Sequence, residues 1–121
     1  MKICPFCHPE EIILANDLAW ARYDKFPVTP GHILIITYRH IADFRESTAE
    51  EKRAINNLLH QAWDLVDTHF MPDGYNLGVN CGTAAGQTIM HLHLHLIPRY
   101  HGDMPNPRGG VRGVIPEKQN Y

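Results

Sequence analysis

Apolar positions along the chain keep two different periods. From 48 to 70 they fall at Ile55, Leu58, Leu59, Ala62, Leu65, Val66 and Phe70, spaced by threes and fours. That spacing predicts an amphipathic helix over roughly 48–70 that covers one face of a sheet. Ser47-Thr48-Ala49-Glu50 leads into it with capping-box spacing, Ser47 being the expected cap, and Pro72-Asp73-Gly74 ends it. The remaining apolar runs read as strands. HILIITY (32–38) is β-branched and continuous, as a central strand is. YNLGVN (75–80) and TIMHLHLHLIPRY (88–100) are two more, and IILANDLAWARYD (12–24) is an extended run broken by a turn at Asn16-Asp17. ICPFCHP (3–9) is a tight turn, KFPVTPG (25–31) a rigid connection and CGTAAGQ (81–87) a small-residue loop. The long helix separates two strand pairs, so the expected class is α+β with an antiparallel sheet. A chain of 121 residues makes one domain, 1–121, in which 101–121 is a Gly/Pro-rich tail with nothing to offer the core.

Charge narrows the partners. Eleven basic and thirteen acidic side chains leave −2, which recommends neither a nucleic-acid duplex nor a membrane surface. A few arginines and imidazoles still suffice to hold a small anion. No run approaches the 18 or so apolar residues a membrane helix needs, and Met1-Lys2-Ile3-Cys4 leads into Pro5 without a leader's apolar stretch. Three cysteines cannot all pair within the chain. The expectation is a reduced, soluble, cytoplasmic protein, with Cys81 a small buried residue.

Nine histidines are present, and three stand in HLHLHLI, residues 91–97. Alternation along a strand puts His91, His93 and His95 on one face and Leu92, Leu94 and Leu96 on the other. The leucines suit a helix-covered core. The histidine face admits three readings: a solvated polar row, three ligands to zinc, or an imidazole nucleophile with its neighbours. Same-face residues on a straight strand stand about 7 Å apart at roughly 3.3 Å per residue, which suits a phosphate better than one tetrahedral ion. An imidazole whose Nδ1 is pinned as a donor exposes its Nε2 lone pair to phosphorus. The middle histidine, braced from both sides, is the natural nucleophile. The GTAAGQ loop just upstream can bring backbone N–H groups to phosphate oxygens.

GHILIITYRH (31–40) together with NCGTAAGQTIMHLHLHLIPR (80–99) resembles the histidine triad family of nucleotide hydrolases and transferases, whose hallmark His-φ-His-φ-His-φ-φ is matched by residues 91–97. The resemblance runs from Cys4 to about Arg99. It implies an antiparallel sheet of about five strands with one long and one short helix, in a homodimer joined by the long helix and a neighbouring strand. His93 would be the nucleophile, its Nδ1–H held by the backbone carbonyl of His95. The His95 side chain would donate to a phosphate or bridging oxygen, and His32 would support the triad from behind. Gln87 would contact the phosphate or leaving group, Asp24 the ribose, and Thr88 the leaving group, with Asn80 a further substrate contact. Ile12, Leu14 and Leu18 are candidates for a base pocket. NPRGGVRGVIP resembles the tail of bacterial triad proteins of the dinucleoside polyphosphate hydrolase type, which would bring Arg99, Arg108 and Arg112 to a long phosphate chain.

Cys4-x-x-Cys7 is half of a zinc site on its own. The resemblance implies that His40 and His91 complete it, and four protein ligands leave no open position, so this zinc would be structural. The function implied is hydrolysis of a dinucleoside polyphosphate through a nucleotidyl-histidine. The alternatives are a nucleoside phosphoramidase and a nucleotide-binding dimer with little catalysis.

Overall fold

Five strands form one antiparallel sheet: β1 (Leu14–Ala15), β2 (Ala19–Tyr23), β3 (Ile33–Thr37), β4 (Gly74–Gly78) and β5 (His93–Arg99), in the order β1-β2-β3-β5-β4. The computed structural model describes residues 3–121. Met1 and Lys2, which open the stretch read above as lacking a leader, lie outside them.

Helix α1 (Ala49–Phe70) lies across one face. Alternation decides what it covers: Ala19 and Ala21 of β2, Ile33 and Ile35 of β3, and Leu96 of β5 pack against Ile55, Leu58, Ala62 and Val66. The opposite residues of the same strands, Trp20, Leu34 and Ile36, form a second apolar cluster with Phe6. His93 and His95 stand on that second face, in register with Ile36 and Leu34. One side of the sheet thus builds the core and the other carries the histidines on an apolar bed.

The helix begins one residue later than the spacing predicts. Thr48, not Ser47, is its cap: Thr48 Oγ1 accepts from Glu51 N and the Glu51 carboxylate accepts from Thr48 N. Ser47 instead donates to the Phe44 carbonyl and closes the preceding 3-10 turn. Glu51 is the better partner because Arg39 grips it at 2.7 and 3.2 Å. That pair ties the end of the β3 connection, and hence His40, to the helix. Among the described residues α1 is the only α-helix. The expected short helix is replaced by single 3-10 turns, one of them at Pro5–Cys7.

Gly31 sets the entry to β3. Its φ is +87°, and a Cβ there would meet the Phe70 ring at 3.0 Å, so this position both needs and rewards glycine. It delivers His32 into a buried position at the head of the strand. No helix among the described residues is long and apolar enough to cross a membrane. Cys81, expected to be buried, is exposed in the loop before β5.

Candidate active site and metal centre

Two donor chains fix which nitrogen of each central imidazole carries a proton. A carbonyl only accepts, so the 2.7 Å contact between His93 Nδ1 and the His91 carbonyl makes Nδ1 the protonated nitrogen of His93. Its Nε2 then bears a lone pair. The brace is the carbonyl of residue 91 rather than the expected one of residue 95. β5 starts only at His93, and the chain just before it turns its carbonyl towards the ring. The second chain begins at the Val28 N–H, which donates to His32 Nδ1 over 3.0 Å. His32 Nε2 is therefore the donor in its 3.0 Å contact with His95 Nδ1, and His95 carries its own proton on Nε2. A bare nitrogen on His93 and an N–H on His95 result, with ring centroids 5.0 Å apart.

Both relay histidines are neutral near pH 7. Burial lowers His32 despite the opposing charge of Asp24, whose Oδ2 lies 3.6 Å from His32 Nε2. Burial, reinforced by His93 and His32, takes His95 down to about 4. Between that value and the ordinary 6.5 an unfolded chain binds the proton and the folded chain does not, so stability rises with pH across this window and is fully present above it. Urea unfolding should therefore show wild type losing stability from pH 7 to pH 5. His95→Asn should lose less over the same interval; an identical loss in the two proteins would contradict the assignment.

The amino-terminal turn closes over the other end of the row. His91 is buried, and its Nε2 donates to the Thr37 carbonyl over 2.6 Å, which leaves Nδ1 unprotonated. That nitrogen stands 3.4 Å from Cys4 Sγ, 3.6 Å from Cys7 Sγ and 3.2 Å from His40 Nδ1, with His40 Nδ1 3.1 Å from Cys7 Sγ. All four donor atoms lie within 4.8 Å of one another. Tetrahedral zinc with bonds of about 2.0 and 2.3 Å needs N···N and N···S edges of about 3.3 and 3.5 Å, close to these separations. Partial desolvation and the neighbouring Cys4 hold the Cys7 thiol above its ordinary value. Two sulfurs this close resist joint ionisation, and a cation between them removes that resistance. The group can hold a metal, and the donor set fits zinc.

Two hollows flank the histidines. A narrow one of about 160 Å³ is walled by Phe6, Arg22, Asp24, Leu34 and Ile89. A wider cleft of about 520 Å³ runs past Asp24, His32, His95, Asn80 and Val114. Asp24 and Asn80 thus reach the site. The base-pocket candidates Ile12, Leu14 and Leu18 line neither hollow; Leu14 packs against the helix-side core, and Ile12 and Leu18 are exposed. Phe6 lines the narrow hollow instead, edge-on to His93 at 5.1 Å. Its position between two cysteines reads as a metal turn and conceals this place on the wall. The apolar positions of β2 and β3 that alternate away from the core were the available clue.

Several expected contacts are spent elsewhere. Gln87 is buried, and its amide donates to the Ala42 and Ile89 carbonyls while its oxygen accepts from Gly82 N. It braces the loop instead of facing a phosphate. Gln87→Leu strands those three groups and should cost about 1–3 kcal/mol of stability in urea denaturation; an unchanged midpoint would restore a direct substrate role. Arg99 is held by Asp103 at 2.7 and 2.9 Å and by Asn76 at 2.7 Å. Arg108 and Arg112 stack on Tyr121 at 5.1 and 4.8 Å. Thr88 is exposed.

A family model for the HIT domain matches residues 7–102. A Mycobacterium tuberculosis protein named AP-4-A phosphorylase is 30% identical over 93 residues, which are 76% of this chain and 48% of that protein. A bis(5'-adenosyl)-triphosphatase of Dictyostelium discoideum is 33% identical over 96 residues, 79% of this chain and 64% of that one. The chain therefore spans about half to two thirds of the length of these relatives. A solved HIT family protein from Bacillus anthracis superposes with a TM-score of 0.78 at 34% identity, covering 83% of this chain and 75% of that chain. A zinc-bound histidine triad protein from Mycobacterium smegmatis gives 0.75 at 29% identity, covering 85% and 79%.

Proposed function

The chain belongs to the HIT-domain family, and from that premise we propose that it cleaves dinucleoside polyphosphates through a nucleotide carried on His93. One observation supports this most: the carbonyl of His91 and the relay from Val28 through His32 set a bare Nε2 beside an Nε2–H. A nucleophile needs the first, and phosphoryl oxygens accumulating charge need the second.

In the first step His93 Nε2 attacks the α-phosphorus. A P–N bond forms, the P–O bond to the remaining phosphate chain breaks, and that chain leaves as an anion. His95 Nε2–H donates to a non-bridging or leaving oxygen throughout. In the second step water attacks phosphorus, the P–N bond breaks, and a nucleoside monophosphate leaves with His93 restored. The narrow hollow between Phe6, Leu34 and Ile89 suits the base, and Asp24 the ribose. The wider cleft leaves room for the departing chain.

Cys4, Cys7, His40 and His91 are the residues that would hold zinc, which when bound supplies structure rather than chemistry because no ligand position stays open. It joins the Phe6 turn to the start of β5. Thiol ligands also suit a reducing compartment such as the cytoplasm. We assign a homodimer as well. β4 is an edge strand, with no further strand paired to it among the described residues, and natural proteins cover or pair such an edge. Light scattering should return twice the mass of 13.8 kDa; a monomer at micromolar concentration would exclude the pairing.

The name of the mycobacterial relative favours a second reading of the second step, with inorganic phosphate as the acceptor in place of water. Product analysis separates the possibilities. Incubation with a dinucleoside tetraphosphate should yield a nucleoside monophosphate and a triphosphate. A nucleoside diphosphate appearing only with added phosphate would assign phosphorolysis. Clear preference for an adenosine phosphoramidate would make the substrate class wrong.

A further inference from the structure

β2 buries Ala19, Trp20 and Ala21, and then Arg22, which is only 4% exposed. Arg22 pairs with Leu34, and Leu34 with His95. The arginine therefore stands on the histidine face two strands from His95, about 10 Å away at roughly 4.8 Å per strand. It walls the narrow hollow together with Glu10, Asp24 and Lys25. An apolar slot for a base needs no such group.

The guanidinium is held in place. Nε donates to the Tyr23 carbonyl at 3.0 Å, Nη2 to the Glu11 carboxylate, and Nη1 lies 3.5 Å from both the carbonyl and the carboxylate of Glu10. Glu11 has φ +53°, a conformation disfavoured for any residue with a side chain. Such strain survives where surrounding contacts over-determine it, often at ligand clamps. Anchoring this segment accounts for Glu11. It does not account for Glu10 and Lys25, an exposed pair 2.7 Å apart on the wall of the same hollow. Lys25 and Arg22 hold the Glu10 carboxyl below its ordinary value, so at neutral pH it acts as a two-oxygen acceptor between two cationic donors.

We propose that Glu10, Lys25 and Arg22 make the base pocket selective for guanine. This rests on the reading of the narrow hollow as the base site. Guanine presents two adjacent donors, N1–H and the N2 amine, which match one carboxylate in a charge-assisted two-point bond. Its O6 accepts from Lys25, while Arg22 steadies the Glu10 carboxylate from the other side. Adenine offers one amine beside a bare N1, whose lone pair would face the second carboxylate oxygen. Sites built to meet specific donors discriminate strongly against analogues that lack them.

Calorimetric titration of the full chain with GMP, IMP and AMP tests this without turnover. GMP should bind about 10- to 100-fold more tightly than AMP, and IMP, which keeps N1–H and O6 but lacks the amine, should fall between. Glu10→Gln, which keeps the side chain's size at an exposed position, should collapse the advantage of GMP by weakening GMP and relieving the opposition to adenine N1. Lys25→Met should weaken GMP and IMP more than AMP. Equal or tighter binding of AMP, an undiminished GMP preference in E10Q, or no binding of any mononucleotide would overturn the proposal. GMP selectivity without cleavage of any dinucleoside tetraphosphate would support it and reject the hydrolase reading instead.

Discussion

His93→Ala should lower turnover of a dinucleoside tetraphosphate by about 10⁴–10⁶-fold, the scale reached when a covalent nucleophile is removed from a preorganised site. The loss should fall on kcat, because the substitution leaves the hollow at Phe6, Leu34 and Ile89, the Asp24 carboxylate and the His95 donor in place. A His95→Ala variant keeps the nucleophile and loses a donor to the developing charge, so its loss should be nearer about 10²–10³-fold. The order of the two variants carries the argument. Each imidazole has a different proton because each leans on a different acceptor or donor, His93 on the His91 carbonyl and His95 on His32. Equal losses would mean that the two imidazoles are interchangeable, which this hydrogen bonding forbids.

Removal of the metal should have the second largest effect. A ligand present at about a thousand times its dissociation constant stabilises the folded chain by about 4 kcal/mol, so zinc stripped by a strong chelator should lower Tm by about 10–20 °C for a domain of this size. Metal analysis of the purified chain should find one zinc, absent from Cys7→Ala. Turnover should fall too, although none of the four donors touches the substrate in this account. The turn that carries Cys4 and Cys7 also carries Phe6, edge-on to His93 and packed on Trp20 at 6.4 Å. Freed from the metal, that wall of the narrow hollow loosens, which should appear first as a raised KM. A chelated chain with unchanged Tm and KM would deny the metal its structural part.

Much of this is legible in the sequence itself. The period of α1 and the alternation of β5 are repeated signals, each position voting for the same face, and they place Ile55, Leu58 and Val66 on the core and His93 with His95 opposite it. Single positions are another matter. Ser47-Glu50 and Thr48-Glu51 have the same spacing, and the choice between them falls to Arg39, twelve residues from Glu51. Gln87 reads as a polar side chain beside a glycine loop, yet the carbonyl of Ala42, 45 residues away, claims it. Arg99 is claimed by Asp103 and Asn76. The tautomer of His95 depends on a backbone N–H at Val28, and no residue type at position 28 reveals a backbone donor. Arg22 inside the apolar run of β2 was visible as a letter, but its meaning needed the register that sets it opposite Leu34 and His95.

The central claim is a covalent nucleotide on His93, and intact mass spectrometry after rapid acid-free quenching tests it most directly. Wild-type chain mixed with a dinucleoside tetraphosphate should gain the mass of one nucleotidyl group within the first turnover and lose it as substrate is exhausted, with the adduct mapping to residue 93 and absent from His93→Ala. Steady cleavage with no adduct at any time, or an adduct that persists in His93→Ala, would contradict the account.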